Sequence, residues 1–263
     1  MFQNRGPDGT WYEVCGNLEG SPIVFCHGVG LDLHMWDEQI PALAGHFPLI
    51  RYDLIGHGET PAKPDTSSLR IFTEQLLTLV RHLNLGPINL VGLSMGGVIA
   101  QQFVAEYPQL VNRLVLMNTV YKRTEVELAG VRSRLQLTAN KGLVPIADAA
   151  ITRWFDEDFR EQHPMVVNKI HKRLVSNDFE GYLNAYRVFV NCDAEINSAL
   201  RGVDCPTLII TGGRDTGSTA TMAFRMAADL HDARVVVFDE LHHLSAVESP
   251  SQVNSELLSF LME

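Results

Sequence analysis

Residues Asn89–Phe103 read NLVGLSMGGVIAQQF. The first half is β-branched and apolar, the second half is apolar at helical spacing, and Ser94 stands between them among Gly92, Gly96 and Gly97. A strand that turns sharply into a helix strains the backbone at the corner, and flanking glycines remove the Cβ atoms that would collide across the turn. GLSMG therefore matches G-x-S-x-G in the strand-then-helix setting that exposes a nucleophilic serine. Gly97 is expected to let the helix pack closely on the next strand.

Around this stretch, short apolar segments recur: SPIVFCHG, FPLIRYDL, INLVGLS, VNRLVLMNT, CPTLIITGG and ARVVVFDE. Their apolarity is continuous rather than alternating, which predicts strands buried on both faces of a mostly parallel sheet covered by helices, an α/β class. Leu76, Leu77, Val80 and Leu83 lie at helical spacing before a Gly86-Pro87 stop, and Val253, Leu257, Leu258 and Leu261 form a similar stripe near the end. In GTWYEVCGNLEGSPIVF, two strand-like runs flank a turn-rich GNLEGSP, which predicts an antiparallel hairpin leading into the sheet.

From Lys122 to Arg187 the strand rhythm gives way to helical patterns. Residues 122–187 are expected to form a helical cap inserted into a core made of 1–121 and 188–263. The insertion holds 11 basic and 9 acidic residues, whereas the chain as a whole carries a net charge of −10.

That acidic balance disfavours nucleic acid and anionic membrane as partners, because both need a basic footprint. A small-molecule substrate fits better. The start of the chain lacks a charged segment followed by an apolar one, no apolar run approaches a membrane span, and the four cysteines suggest no pairing. These features predict a cytoplasmic protein with reduced thiols. Oligomeric state is not readable.

A serine hydroxyl needs a base to take its proton and a third group to orient that base. Asp215 follows the strand-like PTLIITGGRD, and a histidine, His242 or His243, follows ARVVVFDELHH, in the chain order serine, acid, histidine. The backbone N–H of Met95, directly after the nucleophile at a helix start, is a natural oxyanion donor. No G-x-G-x-x-G, phosphate-binding loop or H-E-x-x-H occurs, so neither nucleotide nor metal cofactor is expected.

These motifs, in this order, resemble the α/β-hydrolase superfamily. The resemblance implies that the base is His243, through the spacing of Glu248 and Pro250 in HLSAVESP, although His242 stands where the family usually has glycine. It also identifies FCHGVG as an oxyanion loop, with the Val29 N–H as second donor and His27 as a loop-binding residue. RYDLIGHGET resembles a turn whose Asp53, Gly56, His57 and Gly58 hold loops in place.

GLDLHMWD, GLVPIADAAITRWFDEDFRE and DFEGY are similar to the 3-oxoadipate enol-lactonase group, which opens a carboxylate-bearing lactone without a cofactor. The chain departs from it at HGVG, at GRDTGSTATM and at Val190-Asn191, where an Arg-Asp pair is expected. Trp154, Arg153 and Arg187 are the expected substrate contacts, and His34 and Trp36 the expected supports of the pocket wall. The implied activity is cleavage of a small ester or lactone. Hydrolysis of a carbon–carbon bond in a vinylogous diketone, or a receptor role on the same fold, are the alternatives.

Overall fold

The computed structural model describes residues 2–64 and 66–263. Eight strands, β1 (Phe2–Arg5), β2 (Trp11–Gly16), β3 (Ile23–Cys26), β4 (Pro48–Tyr52), β5 (Ile88–Leu93), β6 (Val111–Met117), β7 (Thr207–Gly212) and β8 (Ala233–Phe238), form one sheet in the order β1-β2-β4-β3-β5-β6-β7-β8. β4, β3, β5, β6, β7 and β8 pair in parallel, and β1 and β2 are joined antiparallel at one edge. Every residue of β3, β4, β5 and β7 is buried, in keeping with their mostly apolar runs, and Arg51 in β4 is buried with them. Along β5 successive side chains serve opposite layers: Leu90 belongs to the apolar cluster that holds Phe72 and Phe103, and Val91 to the one that holds Trp36 and Leu257.

The expected hairpin between Trp11–Gly16 and Ile23–Cys26 does not form. β2 pairs with β1 and β4, so β4 separates it from β3. The four buried residues of β3 need a strand on each side, and GNLEGSP carries the chain across β4 instead of turning back. The hairpin that does form links β1 to β2 through Gly6 to Gly9, closed by Gly9 N–H to Gly6 O at 3.0 Å.

α1 (Ile40–Leu43), α2 (Leu69–His82) and α3 (Met95–Glu106) connect the early strands. Between β6 and β7 come α4 (Glu125–Lys141), α5 (Leu143–Trp154), α6 (Glu157–Gln162), α7 (Pro164–Val175), α8 (Phe179–Asn191) and α9 (Asp193–Ile196). The expected boundary at 187/188 falls inside α8, and helical structure continues to Ile196. Then α10 (Ala220–Asp229), α11 (Ser245–Glu248) and α12 (Pro250–Leu261) complete the chain.

The inserted helices start cleanly. Thr124 and Glu127 exchange side-chain and backbone bonds in a capping box, and Asp178 accepts the Gly181 N–H at 2.7 Å. They dock on the frame through backbone contact: a Cβ on Gly56 would lie 2.7 Å from the Gly181 Cα. All four cysteines are unpaired, and among the described residues no helix is long and apolar enough to cross a membrane.

Candidate active site

Ser94 follows β5, Asn118 follows β6, Asp215 lies three residues beyond β7, His243 five beyond β8 and Val29 three beyond β3. All five therefore emerge at the carboxyl ends of parallel strands, along one edge of the sheet, where open α/β sheets gather their sites.

Ser94 holds φ 55° and ψ −115°, a conformation that non-glycine residues rarely adopt. Its surroundings fix it there. The Ser94 N–H donates to Met117 O at 2.9 Å, Thr119 Oγ1 donates to Ser94 O at 2.6 Å, and Val98 N–H reaches the same carbonyl at 3.1 Å. A Cβ on Gly92 would run into the Gly96 carbonyl, one on Gly96 into the Cys26 carbonyl, and one on Gly97 would sit 2.5 Å from the Thr119 Cβ. The turn can close only with glycine at these positions.

His243 Nδ1 lies 2.7 Å from Asp215 Oδ2. Asp215 is almost fully buried, and burial alone pushes its carboxyl up. The His243 ring and the N–H groups of Ser218 and Gly217, at 3.0 and 2.8 Å from Oδ1, outweigh that and hold it below the usual carboxylate range. An ionised carboxylate only accepts, so Nδ1 carries the proton of that bond and the Nε2 lone pair is free to act as a base. Asn118, which sequence reasoning missed, braces the pair: its Nδ2 donates to Asp215 Oδ2 at 3.1 Å and to His242 O at 3.0 Å, while Ser245 Oγ donates to its Oδ1 at 2.6 Å. The available signal was a polar residue set directly at the carboxyl end of a buried strand.

His242 turns elsewhere. Glu248 accepts its N–H at 2.6 Å and lies 2.9 Å from its Nδ1, so the glutamate of HLSAVESP holds His242 while Asp215 holds His243. His27 accepts the Leu54 N–H on Nε2 at 3.0 Å, which makes Nδ1 the donor to Gly28 O at 2.8 Å. Burial keeps that ring neutral, far below its usual pKa, and presses His57 down to about 4. Asp53, pushed up to about 6 by burial, accepts the N–H groups of Leu33 and Glu59, both at 2.8 Å. His27 and Asp53 tie loops together, while His57 bonds the Ile55 carbonyl of its own turn and packs edge-on against the His27 ring.

Val29, Ser94, Asp215, His243, Arg153 and Trp154 line one cavity of about 60 Å³. The Trp154 ring stacks on His243 with centroids 5.5 Å apart and planes at 28°. Among the described residues, neither the Val29 nor the Met95 backbone N–H has an acceptor. Met95 opens α3, so its amide also lies at the positive end of the helix dipole.

Arg187 is not part of this cavity. It is exposed, donates to Asn184 Oδ1 at 2.9 Å, and belongs to the polar stripe Glu180, Asn184, Arg187 and Asn191 of α8. The 4-3-4 spacing of that stripe marks a solvent face, a signal present in the sequence. In its place stand Arg134 from α4 and Tyr182, Tyr186 and Phe189 from α8. Arg134 lies three residues after buried Val131 and four before buried Thr138, on the inward stripe of its helix. Trp36 is buried against Phe25 and His34 is an exposed partner of Asp37, so neither lines the cavity.

A second cavity, of about 430 Å³ between α7 and the Leu31–Met35 segment, is larger but contains neither the serine nor its base. Among the described residues one cluster has metal-ligand character: atoms of Asp156, His242 and Glu248 lie within 4.8 Å of one another. Its donors are already engaged, Glu248 by His242, and Asp156 by the Phe159 N–H and Arg214. Sequence spacing could not reveal it, because its members come from the insertion and the far end of the sheet.

The sequence pattern of the alpha/beta hydrolase fold matches residues 21–131. An (E)-2-((N-methylformamido)methylene)succinate hydrolase from Acinetobacter baylyi is 31% identical over 92% of this chain and 91% of its own length. A 3-oxoadipate enol-lactonase of the same organism is 29% identical over 92% of this chain and 89% of its own. The crystal structure of the enol-lactonase from Burkholderia xenovorans LB400 superposes with a TM-score of 0.91 at 29% identity, covering 99% of this chain and 100% of that one.

Proposed function

The chain belongs to the α/β-hydrolase fold family, and on that premise we propose that it is a serine hydrolase that opens or cleaves a small ester or lactone through an acyl-enzyme. The observation that carries this reading is the strained Ser94 at the start of α3, in one cavity with the 2.7 Å His243–Asp215 pair.

In this mechanism His243 Nε2 takes the Ser94 proton as Oγ attacks the carbonyl carbon. The tetrahedral oxyanion is held by the Val29 and Met95 N–H groups, whose lack of an acceptor in the structure supports that role. His243, now an imidazolium against ionised Asp215, gives its proton to the leaving oxygen as the carbon–oxygen bond breaks. A water then repeats the sequence, with His243 as base, and releases the acid. In a lactone the leaving oxygen stays tethered to the acyl group, so ring opening and product release are separate events. The small cavity supports a small acyl group, and the relatives named for a succinate derivative and for an oxoadipate enol-lactone support a carbonyl substrate of that size.

Ser94→Ala tests the reading. We expect loss of turnover of p-nitrophenyl acetate and of small lactones by about 10⁴-fold or more, with an unchanged circular dichroism spectrum. A serine-directed fluorophosphonate should label Ser94 in the wild-type protein. Undiminished turnover in the variant, or labelling at another serine, would sink the proposal.

A further inference from the structure

We infer, on the hydrolase reading of the Ser94 cavity, that the face of the Trp154 ring stabilises positive charge on His243, so that a residue of the insertion helps the base to hold the serine proton. Trp154 is then a positioning residue that acts through His243.

Trp154 closes α5, and its neighbours set its place. Ile151 and Phe155 are buried in the apolar cluster that Trp154 packs against, and Phe155 stacks on Phe159 with centroids 4.9 Å apart. From there the half-buried Trp154 lays its ring along the His243 imidazole, centroids 5.5 Å apart and planes at 28°. A ring stacked in this way offers its π face, whose negative quadrupole attracts a cation within about 6 Å of the centroid. A neutral imidazole gains little from that face. An imidazolium gains more, and most where water is scarce, as around the His243 side chain with 10% of its surface exposed.

Positive charge on His243 is otherwise answered from one direction only. The charged and titratable groups that share its cavity are Asp215, Arg153 of α5, Arg134 of α4, and Tyr182 and Tyr186 of α8. Beside it in the chain, His242 is paired with Glu248, and Asp156 near them with Arg214. Asp215 holds the Nδ1 edge, whereas both guanidinium groups oppose a further positive charge. Burial and the neighbouring Arg134 push the Arg153 pKa down, in keeping with that crowding. Asp215 acts at the edge of the imidazole and Trp154 on its face, so the two contributions do not compete.

An NMR titration of the full chain reads this without turnover. The His243 Hε1 signal, identified by its loss in His243→Gln, should show a protonation midpoint about 0.5–1 pH unit lower in Trp154→Leu than in the wild type, with a smaller fall in Trp154→Phe. The acidic limb of kcat/KM for p-nitrophenyl acetate, which reports the free enzyme, should move with it. A tryptophan that only excluded water would give the opposite sign, since its loss would hydrate the imidazolium. Producing the wild-type chain with monofluoro- and then trifluorotryptophan drains the ring face of electron density while keeping its shape, and the midpoint should fall stepwise. The same replacements in Trp154→Phe should leave it unmoved, because Trp11 and Trp36 lie outside the cavity. A midpoint that holds or rises in Trp154→Leu, one indifferent to fluorine, or a raised KM with an unmoved acidic limb would overturn the inference. Where Trp154→Leu loses its circular dichroism spectrum, the fluorine series decides. If Ser94-dependent cleavage persists in the wild type alongside any of those results, the role given to Trp154 alone fails. If that cleavage is itself absent, the hydrolase reading has failed.

Discussion

The frame around Arg51 and the inserted helices around Arg153 treat the same problem, a guanidinium drawn out of water, in opposite ways. Arg51 on β4 is nearly inaccessible and is answered from two sides, by Glu13 at 2.6 Å and by Asp37 at 2.6 Å, with the Leu33 carbonyl at 3.2 Å. Arg153 on α5 has one backbone carbonyl. A buried charge stripped of its partner destabilises a fold by several kcal/mol, so the frame completes its own electrostatics. The two regions therefore differ in charge satisfaction: the frame pairs Arg51 within itself, while Arg153 on the cavity wall has no ion-pair partner among the described residues.

The contrast can be broken first at Arg51. Glu13→Gln removes one side of the pair and should destabilise the protein by about 3–5 kcal/mol in urea denaturation, whereas Arg153→Met should change stability by no more than about 1 kcal/mol. Equal losses in the two variants would erase the distinction.

Acid gives the next largest effect. His57, buried in the frame, has its pKa held down to about 4, below the unfolded value near 6.5, so unfolding takes up a proton between those values. Its contribution is complete above pH 6.5 and is lost as pH falls toward 4, about 3 kcal/mol in all. Asp53, raised to about 6, works in the opposite direction, favouring the folded state as pH falls below 6. The comparison that isolates the histidine is therefore wild type against His57→Gln at pH 7 and pH 4.5, where the variant should lose less stability in acid.

The smallest effect is expected at Arg187. Its side chain is in water on the outer stripe of α8, and Arg187→Ala should alter stability by no more than about 0.5 kcal/mol and kcat/KM by less than about twofold. A large loss of kcat/KM would return this residue to the substrate site.

The sequence made the buried strands legible because burial on both faces leaves them mostly apolar, with Arg51 in β4 and Asn89 in β5 among the exceptions that find partners. β1 was not legible: all four of its residues are exposed, and an edge strand of that length carries no periodicity to read. The partners of Trp11–Gly16 were equally hidden, since pairing with β1 and β4 is decided by which strands need neighbours on both sides. At the site, Ser94 stood out because it directly follows a strand, Asp215 and the His242-His243 pair because they come within five residues of one, and the resemblance through Glu248 and Pro250 singled out His243. Arg134 did not, since α4 is polar nearly all round and no apolar stripe announces its inward face. Asn118 is in the same position, its role depending on two loops, those of Asp215 and His242, that only the folded chain brings together.

One bond joins the two regions at their most sensitive point. Asn177, buried between α7 and α8, donates its Nδ2 to the Gly30 carbonyl at 2.8 Å, one residue beyond the amide of Val29. The loop that carries this amide is thus held from the insertion as well as from the frame, where His27, itself bound by the Leu54 N–H, donates to the Gly28 carbonyl at 2.8 Å. A change that breaks the Asn177 bond removes one anchor of this loop and leaves the other in place. The insertion is therefore fastened to the frame within one residue of the cavity that holds Ser94.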